Sequence, residues 1–193
     1  MLSLFRDVGR DLFTRGLVSS HSGNMSIRLG DRLLITHRGC MLGCLTEHDL
    51  VETGISKNDR STPLASTELA IHRTIYRETA ALAIIHAHPS HAIALSLTES
   101  EILPRDVEGS RLQTQVPVIG VRRGTKLQEL TGEIAQALNR YRVVTVQGHG
   151  SFAIGQVLDE AYHFTTALEE SCRIICLLRA LEPSSAQKLS APG

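Results

Sequence analysis

Residues 80–88 read Ala80-Ala81-Leu82-Ala83-Ile84-Ile85-His86-Ala87-His88, an apolar run that ends in two histidines separated by one residue. The run predicts a strand over 82–86. Side chains alternate with period two along a strand, so the two imidazoles point to the same side. Two neutral imidazoles on one face chelate a divalent metal, and zinc-type ions take nitrogen ligands at about 2.0–2.1 Å. A second apolar run, Val143-Val144-Thr145-Val146, ends in Gln147-Gly148-His149-Gly150 and offers a third imidazole at a strand end. Glycines on either side of it let the backbone turn close to a ligand. Three histidines with an open fourth position form the pattern of a catalytic rather than a structural metal site. A His-X-His pair alone reads equally well as two surface residues; the third histidine, in matching context, tips the reading toward a metal.

The chain has 193 residues, room for one well-buried domain. Its 20 Lys and Arg balance its 20 Asp and Glu, so no basic field points to nucleic acid or an anionic membrane. No apolar run approaches the roughly 20 residues of a membrane span. Arg6 and Asp7 stand where a signal peptide needs its apolar core, so the expectation is a cytoplasmic protein. The cysteines form two pairs, Cys40/Cys44 and Cys172/Cys176, expected to be reduced thiols in that compartment. Cys172 and Cys176 share one face of a helical pattern, where Cys packs as a small hydrophobe. A four-Cys zinc site is the weaker alternative, because CxxxC twice is not the usual ligand spacing.

Periodicity predicts a helix over 2–15 stopped at Gly16, and strands over 25–29 and 32–36 joined at Gly30-Asp31. A polar loop at 56–63 precedes a helix starting near Ser66, with Ser66 as its N-cap and Glu68 in its first turn. A short helix over 92–97 follows Pro89, and residues 99–115 read as charged and irregular. Beyond them come a strand over 116–121, a helix over 125–139, strands over 142–146 and 151–155, and a long helix over 159–181. One domain over 1–182 is expected, with 183–193 a disordered tail. Strands interleaved with helices make it α/β, with the strand order not readable from sequence.

Several short segments join the histidines. Glu68 early in a helix is favoured by the macrodipole alone, yet a helix start carrying Ser66 and Thr67 is also a ready anion site. Ser22-Gly23-Asn24 before one strand and Thr36-His37-Arg38-Gly39 after another are polar turns able to offer N–H groups and a guanidinium to a phosphate. Each alone is commonly just a turn.

Together, Ser22-Gly23-Asn24-Met25-Ser26-Ile27-Arg28, Ile35-Thr36-His37-Arg38-Gly39, Ser66-Thr67-Glu68 with His72 one turn on, Ile84-Ile85-His86-Ala87-His88, Gly148-His149-Gly150 and Leu158-Asp159-Glu160-Ala161 resemble the class II aldolase/adducin family. The likeness is greatest to fuculose-phosphate-type aldolases. It implies a three-layer α/β/α sandwich and a metal-dependent lyase that splits a ketose 1-phosphate into dihydroxyacetone phosphate and an aldehyde through an enediolate. It further implies a bound zinc, or another divalent ion such as manganese or cobalt, and a homotetramer with sites between subunits. Carried over by position, His86, His88 and His149 match the metal ligands and Glu68 the catalytic carboxylate. Asn24, Gly39, Ser66 and Thr67 match the phosphate pocket, with Arg38 beside it. The family also holds pentulose-5-phosphate 4-epimerases, which use the same retro-aldol step, and the non-catalytic adducin head. Two departures stand out. Residues 99–115 contain no Tyr to serve the aldehyde oxygen, leaving Asp106, Glu108, Arg111 or a water, and Arg38 replaces a small hydroxyl residue.

Overall fold

The strand predicted around Ile84 and Ile85 is β4 (Ala83–Ala87), and it is buried at every position. Burial on both sides requires a layer on each face of the sheet. In the computed structural model, which describes residues 1–120 and 127–181, those layers are helices. The sheet comprises β1 (Asn24–Leu29), β2 (Arg32–Thr36), β3 (Leu50–Gly54), β4, β5 (Glu101–Ile102), β6 (Val116–Ile119), β7 (Val143–Val146) and β8 (Gly150–Gly155). Its order is β3-β2-β1-β4-β8-β7-β6-β5. Every pairing is antiparallel except β6 with β7.

Alternation along the strands sorts the core into two halves. Ile84 of β4, Val144 and Val146 of β7, and Phe152 and Ile154 of β8 face one way. They pack against Ile71 and Ile75 of α2 (Leu69–Glu78) and Ile134 and Leu138 of α5 (Thr131–Leu138). Met25, Ala83, Ile85 and Ala87 face the other way, against Phe5, Val8 and Leu12 of α1 (Leu2–Thr14). That second face also carries α3 (Ser90–Ser96) and α6 (Leu158–Leu181), with Leu95, Phe164, Leu168 and Cys172 packed on Val143 and Ala153. The chain is thus a mixed α/β domain in three layers, α2 and α5, then sheet, then α1, α3 and α6. All four cysteines are free thiols.

Several expectations need correction. Residues 99–115 are not wholly irregular, since they form β5 and α4 (Val107–Leu112). Both are too short to show a period. Asp106 is the N-cap of α4, its side chain accepting from Gly109 N at 2.7 Å. Periodicity also misses β3, whose five residues Leu-Val-Glu-Thr-Gly carry only a brief alternation. Ser66 is not the helix cap. The helix begins at Leu69, and Glu68 stands in the capping position without using its side chain to cap. The helix expected over 125–139 is shorter, with a 3-10 turn over 127–130 leading into Thr131. Residues 121–126 and the expected tail at 183–193 lie outside the described residues.

Ile84 is fully buried while Leu82, just before the strand, is 43% exposed. Ile84→Ala is expected to destabilise by about 2–5 kcal/mol through lost transfer energy and a residual cavity. Leu82→Ala should stay within about 0.5 kcal/mol, as surface changes do. Denaturant midpoints check the pair, and equal losses would contradict the buried position of β4.

Candidate active site

Strand register brings the site together. In the antiparallel ladders Asn24 of β1 stands opposite His86 of β4, and His86 stands opposite Phe152 of β8. The His86 ring lies against Phe152, centroids 4.3 Å apart, and is 1% exposed. His86 Nδ1–H donates to the Ser151 carbonyl at 2.9 Å. That bond fixes the tautomer and leaves the Nε2 lone pair facing the pocket. His88 lies one residue beyond β4, its backbone N–H held by the Leu17 carbonyl at 2.7 Å. His149 arrives from the turn between β7 and β8. Gly148 takes a φ of +66° there and donates to Ser96 Oγ at 2.9 Å. The next glycine makes room for the rings. A Cβ on Gly150 would sit 2.4 Å from the Ala87 carbonyl oxygen, 2.9 Å from His88 Cδ2 and 3.1 Å from His86 Cε1.

The ligand atoms of His86, His88 and His149 all lie within 4.8 Å of one another. Their chemistry fits a divalent cation. Burial pushes His86 down to about 3, the Glu68 carboxylate opposing it only in part. His88 is lowered in the same direction, by burial first and then by His149. Both imidazoles therefore stay neutral, the form that ligates. With Nδ1 carrying the His86 proton, the facing Nε2 atoms of His86 and His88, 2.9 Å apart, need a proton or a cation between them. His149 Nε2 is buried and has no hydrogen-bond partner among the described residues.

Glu68 completes the cluster from the helix side. Its Oε2 accepts from Asn24 Nδ2 at 2.7 Å and lies 3.3 Å from His86 Nε2, while Oε1 lies 3.4 Å from His149 Nε2. Burial alone would raise this carboxyl. His86, His149 and the Asn24 amide outweigh it and hold Glu68 down to about 2. The site thus presents an ionised carboxylate beside the neutral imidazoles of His86 and His88, with His149 converging on them.

The other predicted residues sit around the same end of the sheet. Asn24 is 6% exposed and bonded to Glu68 and His72. Ser66 is buried, its N–H bonded to the Thr36 carbonyl and its Oγ accepting from Glu68 N at 3.3 Å. Thr67, Arg38 and Gly39 are exposed, and Gly39 turns with a φ of +68°. The Arg38 side chain makes no hydrogen bond or ion pair among the described residues, though its N–H ties the turn to Leu64. Sequence reasoning gave no role to Ser26, His72 and Tyr76, which the fold places directly behind Asn24. A signal was there to read. Asn24 and Ser26 share a strand face, and Glu68, His72 and Tyr76 recur every four residues along a helix.

His88→Ala should lose most bound divalent metal while the fold survives, read by metal analysis after loading and desalting beside a thermal melt. Wild-type metal content would contradict the triad. His72, lowered from 6.5 to about 4 by burial, and His86 both take up protons on unfolding. The folded state therefore binds fewer protons in that window, and the metal-free protein loses stability as pH falls from about 6.5 toward 4. Melting temperature measured in chelator across that range checks this, and a flat profile would contradict it.

The family described as Class II Aldolase and Adducin N-terminal domain matches residues 4–176. Among solved structures, L-fuculose-1-phosphate aldolase from Thermus thermophilus is 36% identical with a TM-score of 0.86, covering 100% of this chain and 97% of that one. A 3-oxo-tetronate 4-phosphate decarboxylase from Pectobacterium atrosepticum is 30% identical over 178 residues, 89% of this chain and 81% of the relative. A probable bifunctional methylthioribose-1-phosphate isomerase/methylthioribulose-1-phosphate dehydratase from Nocardia farcinica is 28% identical over 86% of this chain, which spans 33% of that longer protein. Among the described residues no helix is long and apolar enough to cross a membrane. From the strand-end histidines to the three-layer fold, the chain belongs to the class II aldolase and adducin N-terminal domain family.

Proposed function

We propose that this chain is a divalent-metal-dependent lyase that reversibly cleaves a short ketose 1-phosphate, fuculose 1-phosphate-like, to dihydroxyacetone phosphate and an aldehyde. The observation carrying the reading is the Glu68 carboxylate set 3.3 and 3.4 Å from two of the three converging imidazoles. Likeness to the Thermus thermophilus aldolase supports the substrate class. Breaking the C3–C4 bond sends its electron pair into an enediolate, as the C4 hydroxyl loses its proton and becomes the aldehyde. A divalent ion held by His86, His88 and His149 would supply Lewis-acid stabilisation of the enediolate charge. A set of imidazole nitrogens suits zinc first, with manganese or cobalt as the alternative divalent ions. The Glu68 carboxylate, ionised at rest, takes up a proton equivalent to the one released from the C4 hydroxyl, delivers it to C3 to give dihydroxyacetone phosphate, and removes it in the reverse direction.

The phosphate is assigned to Asn24, Gly39, Ser66 and Thr67, with Arg38 adding a cation. This assignment, a homotetramer with sites between subunits, a cytoplasmic location and a catalytic unit spanning 1–182 belong to the same proposal. A second reading is favoured by the decarboxylase relative, since loss of carbon dioxide from a 3-oxo acid phosphate leaves the same kind of enediolate. Epimerisation of a pentulose 5-phosphate draws less support, because Asp106, a candidate for handling the aldehyde oxygen, is engaged as a helix cap.

Metal-loaded protein is to be incubated with fuculose 1-phosphate, ribulose 1-phosphate, ribulose 5-phosphate and a 3-oxo-tetronate 4-phosphate. Triose phosphate from a 1-phosphate is expected. Exchange between pentulose 5-phosphate epimers, or carbon dioxide release alone, would overturn the reading. Glu68→Gln keeps the size and removes the base, so turnover should fall by about 100-fold or more. Arg38→Ala should raise KM more than it lowers kcat, since pairing with a remote phosphate is largely uniform binding. Equal use of unphosphorylated sugars would contradict the phosphate pocket.

A further inference from the structure

Between β1 and α2 runs a line of buried polar side chains through an otherwise apolar layer. Tyr76 OH lies 2.7 Å from Ser26 Oγ, and Ser26 Oγ lies 2.6 Å from His72 Nδ1. His72 Nε2 lies 2.6 Å from Asn24 Oδ1, and Asn24 Nδ2 reaches Glu68 Oε2 at 2.7 Å. Ser26 and His72 are fully buried and Tyr76 is 1% exposed. Their neighbours are Ile71, Ile75, Ile84 and Phe152. Burying a hydroxyl, a phenol and an imidazole costs free energy that apolar residues of similar volume would not.

The carboxylate fixes the direction of every bond. An ionised Glu68 only accepts, so Asn24 presents its amide N–H₂ to it and its oxygen to His72. His72 must then donate from Nε2, which leaves Nδ1 bare and able only to accept. Ser26 therefore donates to Nδ1, and its oxygen takes the Tyr76 hydroxyl proton. Each donor points toward Glu68, and such aligned bonds polarise one another. Without the Nε2–H of His72, the buried Asn24 oxygen loses its partner and the amide is held only by its bond to Glu68, free to shift and to carry the carboxylate with it.

We infer that His72 is a positioning residue: acting with Ser26 and Tyr76, it locks the Asn24 side-chain amide so that its N–H₂ holds Glu68 oriented over the imidazole cluster. The inference rests on the reading of Glu68 as the proton carrier. It goes further, because it assigns function to three buried residues, of which only His72 reaches a pocket residue, through its bond to Asn24.

His72→Phe preserves a planar ring and removes both bonds. In metal-loaded protein it should lower kcat for ketose 1-phosphate cleavage by about 20-fold, with KM within about threefold and metal content unchanged. His72→Gln returns an N–H donor toward Asn24 and should recover kcat to within about fivefold of wild type. Equal impairment of the two variants would reduce His72 to a packing residue, and wild-type kcat in His72→Phe would remove it from the reaction; either result overturns the inference. Ser26→Ala, a small change that keeps the fold should His72→Phe fail to fold, takes away only the donor to Nδ1. It should lower kcat several-fold. The independent readout is ¹⁵N NMR of the histidine rings at neutral pH, in which His72 is expected neutral with its proton on Nε2 and a bare Nδ1. A proton on Nδ1, or on both nitrogens, overturns the inference. If the wild type cleaves no ketose phosphate, the assigned reaction fails by itself, and the tautomer still decides how the amide is held.

Discussion

The pairing of Asn24, His86 and Phe152 across three adjacent strands is the constraint on which the rest of the site depends. A slip of one residue in either ladder would move a whole set of side chains to the opposite face. His86 would then point into the α1 side, and Asn24 and Ser26 would leave α2. Register is strongly specified here because both faces are buried. Ile84 can only be exchanged with Ile85 or Ala83 by disturbing two separate cores at once. The same packing that stabilises the centre of the sheet thus fixes the site to within one residue.

Around that fixed row the chain uses small residues at the strand ends and polar residues on one helix stripe. Gly150 leaves the space that two imidazoles occupy, and Gly23, at a φ of +77°, passes within 2.9 Å of the His86 carbonyl measured from where its Cβ would be. From the opposite side α2 and its capping residue place Glu68, His72 and Tyr76 on a single stripe, so docking one helix sets the carboxylate beside Asn24 together with the groups that fix that amide. Neutral imidazoles and an ionised carboxylate coexist at close range because burial disfavours charge on His86, while His86, His149 and the Asn24 amide favour it on Glu68. A site with those opposed tendencies is suited to a cation and to a proton that moves.

Much of this was legible in the residues alone. Period two across His86-Ala87-His88 put both rings on one side, and their Nε2 atoms do meet. Gly30 and Gly16, read as a turn and a helix stop, take positive φ values of 66° and 70°. The α/β class followed from interleaved periods, and the three layers from the family resemblance. Where the reading stopped, the cause was physical. β3, β5 and α4 are held by neighbours rather than by their own periodicity, so short windows carried no signal. Ser66 looked like a cap because hydroxyls favour that position, but its backbone pairs with Thr36 instead and the helix starts later. Glu68 looked like a residue attracted by the helix dipole, whereas its side chain turns into the pocket. The Ser26–His72–Tyr76 line joins residues 46 and 50 positions apart, and the docking of α2 on β1 brings them together.

The relatives are named for different sugar phosphates, and the proposed cleavage and its decarboxylating alternative would share one step, an enediolate formed beside Glu68. That common step is the core of the account, and it is open to a direct measurement without any aldehyde present. Metal-loaded protein in deuterium oxide with dihydroxyacetone phosphate alone should exchange one hydrogen of the hydroxymethyl carbon for deuterium, seen by ¹H NMR, and should stop doing so after chelation. Absence of exchange in the metal-loaded protein, or exchange that persists equally in chelator, would contradict the assignment of this site to carbon–proton transfer.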